Sequence, residues 1–316
     1  MTLLEQIEEV WERGAATKAI KWAVQLEQAI PKITEHKKSF REWQPLRVYL
    51  SYTTATSSKI PFSLRYLGQE VATLTVEDAG PSLKVSPKTA GINSDRFGIN
   101  FCGKVDWAGP EAREFRRAFR ELDPTRYFDK LKSEEHHIES EFLRHMEDPT
   151  SGKFHGTFKH IQPVMMAGFP FQFPLPISGH SGLPKLSNGN IDILARRGTG
   201  GGTKISVWEL KRPKTTAHAI DQAYIYAVTL LKMLRTPAAG DFWYKNVIGF
   251  GCSVPKHLTI ESVVAVSISN DRNRRLFEEK FRKFKEQNSL EIGGDVINLH
   301  VAHYTKAPLT VELLPI

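Results

Sequence analysis

Between Gly109 and the C-terminus, short apolar runs typical of β-strands alternate with longer runs that have helical periodicity. The helical runs lie near GPEAREFRRAFREL, SEEHHIESEFLRHMED, Thr216 to Leu234 and RRLFEEKFRKFKEQ. The β-type runs lie near IQPVMMAGFPFQF, GNIDILA, ISVWELK, VIGFGCSV, SVVAVSI and INLHVAHY. Alternating strands and helices pack as layers around a sheet, which is often mixed. The pattern therefore predicts an α/β (α+β) domain with a mixed sheet flanked by helices.

Residues 1–107 have a different pattern. Apolar residues recur at helical spacing from Leu3 to about Ile30, and Pro31 and Pro45 are expected to break the chain after that. Short alternating runs separated by Gly and Pro follow, and they predict a small β-rich unit. We therefore expect an N-terminal accessory domain of helices and strands at residues 1–107, and the α/β domain at residues 108–316. We find no chemical motif in residues 1–105.

The overall charge favours an anionic partner. The chain has 43 Lys and Arg against 35 Asp and Glu, which gives a formal charge of +8 and a sequence pI of about 9.3. Phosphate contacts supply much of the affinity of basic proteins for nucleic acid. No apolar run reaches the roughly 18 to 20 residues of a membrane span, so we expect a cytoplasmic protein without membrane contact. Cys102 and Cys252 lack metal-ligand spacing and are interpreted as core residues.

Two of the predicted strands, GNIDILA and ISVWELK, carry charged residues on either side of a glycine-rich segment. Residues two apart in a strand face the same side, so Glu209 and Lys211 project together while Leu210 faces the opposite layer. If the GTGGG segment is a hairpin tip that turns the chain back, Asp192 meets them. The pattern predicts a patch of two carboxylates and one ammonium.

These residue types suit phosphodiester hydrolysis. Mg²⁺ takes oxygen ligands and keeps several waters, and a bound cation can neutralise a phosphate and activate an attacking water. Asp192 and Glu209 are the expected ligands of Mg²⁺ or Mn²⁺. Lys211 would orient or help to deprotonate the water and offset charge on the phosphoryl oxygens.

Asp192 and the Glu209-Leu210-Lys211 triplet resemble the motif of the PD-(D/E)XK nuclease superfamily, over about residues 130–305. Ile191 stands where the motif has Pro. The resemblance implies a restriction-endonuclease-like domain that cleaves DNA, in restriction, phage defence, repair or mobile-element biology. It also implies an acidic ligand on the helix before the first strand, either Glu139, which we prefer, or Glu135.

On the helix after the triplet, the resemblance implies that Gln222 approaches the site, with Tyr226 one turn later. A homodimer is expected because two copies of one site can cut both strands of a duplex.

Other interpretations remain open. A Glu-x-Lys pair on a strand is often an ordinary solvent-facing pair. The chain is alternatively an RNA-cleaving nuclease, or one activated by a small molecule or protein at the N-terminal domain. A third alternative is a nucleic-acid-binding protein that has no catalytic activity. The basic helix near residues 272–285 is either a solvated amphipathic helix or a track for phosphates.

Overall fold

The structure, a computed structural model, describes residues 1–40, 44–51, 55–56, 58–87, 91–126, 134–147, 160–212, 218–267, 271–306 and 309–313. Contacts divide the chain into two units. The first unit comprises Met1–Ala23, Glu141–Val164 and Gln172–Ile316, and the second comprises Val24–Ser140 and Met165–Phe171. The expected domain boundary between residues 107 and 108 stays a prediction.

The N-terminal region is helical, as the sequence predicts. Helix α1 (Leu3–Val10) begins with a capping box, in which the Thr2 hydroxyl accepts a hydrogen bond from Glu5 N, and the Glu5 carboxylate accepts one from Thr2 N. A turn (Trp11–Ala15) with a kink at Gly14, whose φ and ψ of 152° and −7° are not helical, leads into α2 (Ala16–Glu35). Reciprocal capping satisfies amide groups that the first turn of a helix leaves without partners.

The expectation that Pro31 breaks the chain is wrong, because α2 continues through Pro31 to Glu35. Proline removes one backbone hydrogen bond from a helix interior. The last turn is nevertheless anchored, because Ile33 is fully buried and Lys32 Nζ lies 2.7 Å from Asp78 Oδ1. A short helix α3 (Lys37–Phe40) follows.

The second unit contains an antiparallel sheet whose described strands pair in chain order. They are β1 (Arg47–Leu50), β2 (Ile60–Tyr66), β3 (Gln69–Glu77), β4 (Gly80–Val85) and β5 (Gly103–Asp106). Helix α4 (Gly91–Arg96) precedes β5, and α5 (Pro110–Arg120) follows it. This confirms the β-rich region predicted within residues 1–107.

A second, mixed sheet lies in the first unit. The elements after α5 are α6 (Glu134–Glu147), β6 (Ile161–Pro163), β7 (Phe173–Leu175), β8 (Gly189–Ile191), β9 (Ile193–Arg197), β10 (Lys204–Lys211), α7 (Ala219–Leu234), α8 (Gly240–Phe242), a π-helical turn (Trp243–Val247), β11 (Thr259–Val266), α9 (Asp271–Gln287), β12 (Glu291–Ile292), β13 (Asp295–Lys306) and β14 (Leu309–Leu313). The strand order is β12-β13-β11-β10-β9-β6, with β14 beside β13.

In this sheet β10, β11 and β13 are parallel, whereas β9 is antiparallel to both β10 and β6. The predicted α/β class with a mixed sheet is therefore confirmed. Strands β7 and β8 form a separate antiparallel pair.

Helices cover both faces of the mixed sheet. Ser262 Oγ of β11 donates to Ala223 O of α7 at 3.0 Å, so Ser262 faces α7. Its partner in β10 is Val207, and alternation places Glu209 and Lys211 on the same face. On the opposite face the Phe142 ring of α6 lies 6.2 Å from that of Trp208. The site residues of β10 therefore face α7.

Two further sequence-based expectations are wrong. The VIGFGCSV segment forms no strand among the described residues, because Gly249 and Gly251 take left-handed φ angles of 85° and 69°. Cys102 and Cys252 are exposed rather than buried. The expected helix start at Thr216 lies outside the described residues. Within the described part of the chain, no helix has the length and apolar character needed to cross a membrane.

Candidate active site

Asp192 and Glu209 lie across from each other at one end of the β9–β10 hairpin. The strands pair antiparallel as far as Trp208 and Ile193, and the next residues beyond this pair are Asp192, at a bend, and Glu209, in β10. The Leu210 amide donates a hydrogen bond to Asp192 Oδ2 at 2.8 Å, which holds the carboxylate beside β10. The charges of Asp192 and Glu209 both act on the Tyr226 hydroxyl of α7, so both carboxylates belong to the face that α7 covers.

Lys211 joins this face because it follows Glu209 by two positions in β10. Its ammonium donates to Glu209 Oε1 at 2.6 Å. The side chains of Lys211 and Glu209 are only 8% and 1% exposed, whereas Asp192 is partly exposed. Separating a buried ion pair leaves a charge without compensation. The pair is therefore held in one geometry, and Asp192 is the member of the site nearest to solvent.

Helix α7 adds two side chains to this face. Gln222 Nε2 donates to Tyr226 Oη at 3.2 Å, and both residues are buried. Burial, together with the negative charges of Glu209 and Asp192, raises the pKa of Tyr226 to about 12. Because a phenolate is disfavoured near carboxylates, Tyr226 is a neutral hydrogen-bonding group at this site.

Close packing holds Tyr226 beside the hairpin. A Cβ atom at Gly189, in β8, would lie 2.5 Å from Ile177 O and 2.9 Å from Tyr226 Cε1. A backbone hydrogen bond from Gly179 to the Tyr226 hydroxyl lowers the pKa of the phenol and partly opposes the rise. Glycine is needed at position 189 because only its missing side chain allows this approach.

The two candidate carboxylates of α6, Glu135 and Glu139, belong to the second unit. Glu139 is buried, and its Oε1 lies 3.9 Å from Arg65 Nη1. The Arg65 guanidinium lies 4.2 Å from the centre of the Tyr49 ring. Glu135, one turn earlier in α6, is partly exposed. A role for Glu139 or Glu135 beside the hairpin stays a prediction.

The donor set at the hairpin fits a hard cation. Mg²⁺ is usually held by one or two carboxylates together with water and substrate phosphate oxygens. Asp192 and Glu209 supply two such carboxylates on one face. Among the described residues, no group of three or more His, Cys, Asp and Glu side chains could hold a metal by itself. The residues present therefore suit Mg²⁺ or Mn²⁺ that is also bound by water and phosphate.

Sequence reasoning missed the supporting role of Gly189. Its contacts with Ile177 O and Tyr226 depend on β7, β8 and α7 packing together. The local signal is a glycine three residues before Asp192, at the start of the predicted strand GNIDILA, where glycine is unusual.

No protein-family model matches this chain. Comparisons with curated proteins and with solved structures likewise find no significant match.

Proposed function

We propose that this protein is a Mg²⁺- or Mn²⁺-dependent endonuclease that hydrolyses phosphodiester bonds in DNA. The observation that carries the proposal is the meeting of Asp192, Glu209 and Lys211 on one face at the end of a hairpin. Two carboxylates beside one ammonium are an uncommon combination on a largely buried sheet face, because burying charge is costly. Hydrolysis of a phosphodiester requires such charged groups and would explain why they are buried here.

The order of elements supports a restriction-endonuclease-like arrangement for the first unit. A helix, α6, precedes the antiparallel strands β6, β9 and β10, and α7 then connects β10 to the parallel strand β11. Asp192 lies at a bend immediately before β9, and the Glu209-Leu210-Lys211 triplet ends β10, the strand that pairs with β9. Gln222 and Tyr226 on α7 face the same side as the triplet.

Each residue has a distinct role in the proposed reaction. Asp192 and Glu209 would hold the cation, which neutralises the scissile phosphate and lowers the pKa of an attacking water. Lys211 keeps a fixed positive charge where phosphoryl oxygens gain negative charge, and its Glu209 contact fixes its position. Gln222 and Tyr226 are positioning residues, since their mutual hydrogen bond keeps a neutral polar pair beside the carboxylates.

DNA is the proposed substrate, and its charge complements the formal charge of +8. Helix α9 offers basic residues, several of them exposed, that suit phosphate contacts. Restriction or phage defence is the proposed setting, and a homodimer would allow both strands to be cut.

A gated nuclease is the second candidate, and the burial of the site favours it. Glu209 and Lys211 are 1% and 8% exposed, so a phosphate reaches them only after local opening. A small molecule or protein that binds the N-terminal region would supply such a trigger. RNA remains the alternative substrate in this case.

A substrate panel tests the proposal. Purified protein is incubated with supercoiled, linear and single-stranded DNA and with RNA, in Mg²⁺, in Mn²⁺ and in EDTA. We expect cutting of DNA that requires the cation and falls by roughly a hundredfold in Asp192→Asn and Lys211→Met. Cutting that persists in EDTA, or is unchanged in both variants, would contradict the proposal.

A further inference from the structure

A pocket of about 350 Å³ lies at the tip of the β9–β10 hairpin, away from Asp192 and Glu209. Its wall contains side chains and backbone from three separate segments of the first unit. They are Gln162 of β6, Arg196, Thr199 and Thr203 around the hairpin tip, and Gly249 and Phe250 after the π-helical turn. Small-molecule pockets usually measure roughly 300–1,000 Å³, so this one suits a ligand at the small end of that range.

The Arg196 guanidinium is held in the pocket wall by uncharged partners. Nη1 donates to Gly249 O at 2.8 Å and Nη2 to Gln162 Oε1 at 3.4 Å. Neither contact brings a negative charge, and Nε has no hydrogen-bond partner among the described residues. The next residue differs, because Arg197 points to the other face and is paired with Glu261 at 3.1 Å. Arg196 is therefore a fixed cation that an anionic ligand can neutralise.

A flat aromatic surface lies beside this cation. The Phe250 ring stacks on Tyr244, with ring centroids 4.5 Å apart and an interplanar angle of 10°. Phe250 N also donates to Tyr244 O at 3.2 Å, which ties the segment to the π-helical turn. Nucleobases stack on aromatic side chains of this kind. Phe250 is partly exposed, so one of its sides is reachable from the pocket.

We propose that this pocket binds one nucleotide unit, with its phosphate at Arg196 and its base against Phe250. The Gln162 amide and the hydroxyls of Thr199 and Thr203 supply hydrogen-bonding groups for the sugar and the base edge. Arginine suits the phosphate because its planar fork matches two phosphate oxygens.

The pocket is separate from the candidate active site but lies on the same face of the sheet. Arg196 pairs with Ile205, which is four positions before Glu209 on β10. At about 3.3 Å per strand residue, the two positions are about 13 Å apart along the strand. The ligand is therefore either a free nucleotide or one unit of a nucleic-acid strand that also reaches the candidate active site at the end of the hairpin. The second of these sources rests on the proposed function.

Equilibrium binding to the full chain in EDTA tests this inference without requiring cleavage. The probes are nucleoside monophosphates, the matching nucleosides, inorganic phosphate and a short single-stranded oligonucleotide. We expect nucleotides to bind more tightly than either the nucleosides or phosphate alone. Arg196→Gln and Phe250→Leu should each weaken nucleotide binding by roughly tenfold. Lys204→Gln, which removes the same charge from the same hairpin outside the pocket lining, should leave affinity within about twofold.

The outcomes separate the two sources. Tight binding of free monophosphates indicates a free nucleotide, whereas binding of the oligonucleotide alone, with the same sensitivity to both variants, indicates the substrate strand. Failure of every probe to bind, or affinity unchanged in both Arg196→Gln and Phe250→Leu, would overturn the inference. Binding is measured in EDTA, so a failure to bind nucleotides does not bear on the proposed cleavage of DNA by the site that contains Glu209. Conversely, an absence of DNA cleavage leaves the binding result valid.

Discussion

The protonation of Tyr226 depends on burial and on the charges of Glu209 and Asp192. Its pKa is about 12 in the folded protein, against about 10 in an unfolded chain. The stabilisation from this raised pKa is complete below about pH 10 and is lost as the pH rises towards the folded value. We expect Glu209→Gln to lower the pKa of Tyr226, because it removes a nearby negative charge.

Tyrosinate absorbance measures this prediction, with Tyr226→Phe as the reference that lacks the group. Ca²⁺, which stays dissolved at high pH, should also lower the pKa of Tyr226 if Asp192 and Glu209 bind a hard cation. A pKa that neither Glu209→Gln nor Ca²⁺ changes would separate Tyr226 from the candidate site.

Lys211 compensates the buried negative charge of Glu209. Lys211→Met leaves Glu209 buried without its ion-pair partner, and breaking such a pair costs roughly 3–5 kcal/mol. Mg²⁺ should raise the melting temperature of this variant more than that of the wild type, because the cation replaces the missing positive charge. Thermal unfolding with and without Mg²⁺ measures both effects.

Lys232→Met is the matched control, since Lys232 is paired with Glu8 on α1, away from the hairpin. Its response to Mg²⁺ should equal that of the wild type. An equal response in Lys211→Met would argue against cation binding by Asp192 and Glu209.

Strand β8 and helix α7 approach closely only because position 189 is glycine. Gly189→Ala would bring a Cβ within 2.5 Å of Ile177 O, and overpacking of this kind typically costs about 1–3 kcal/mol. Gly201→Ala is the control because a Cβ there meets nothing within 4 Å. Urea unfolding should show a clear loss of stability for Gly189→Ala and no loss for Gly201→Ala. Equal stabilities would refute the close approach.

The strands of the hairpin were predictable from sequence because their signals are local. Glu209 and Lys211 share a face through the two-residue period of a strand, and the glycine-rich tip turns the chain back towards Asp192. The VIGFGCSV segment has equally apolar residues but forms no strand, since left-handed Gly249 and the Phe250 stack on Tyr244 determine its path. The apolar pattern of a short segment does not reveal contacts of this kind with other residues.

Contacts between distant parts of the chain limit any division made from sequence order. Residues 1–23 group with Gln172–Ile316 rather than with the residues that follow them. Lys232 Nζ of α7 lies 3.3 Å from Glu8 Oε1, and Ile7 and Val10 of α1 are buried. Neither the charge pattern nor the helical period of α1 identifies α7 as its partner.

A fragment that begins at residue 108 therefore lacks α1. We expect it to unfold at a lower denaturant concentration than the full chain, because α7 loses the contacts made by Glu8 and its helix. Chemical unfolding followed by circular dichroism measures the difference. A fragment as stable as the full chain would instead favour independent folding of residues 108–316.

The most direct test of the proposed activity compares the rates of DNA cutting by wild type, Glu209→Gln and Glu261→Gln in Mg²⁺ or Mn²⁺. Glu261 is the matched control because it is also a buried carboxylate on a central strand, but it faces away from α7 and pairs with Arg197. We expect the rate to fall by roughly a hundredfold in Glu209→Gln and to remain near the wild-type rate in folded Glu261→Gln. Equal cation-dependent cutting by wild type and Glu209→Gln would contradict the assignment of the active site to this hairpin.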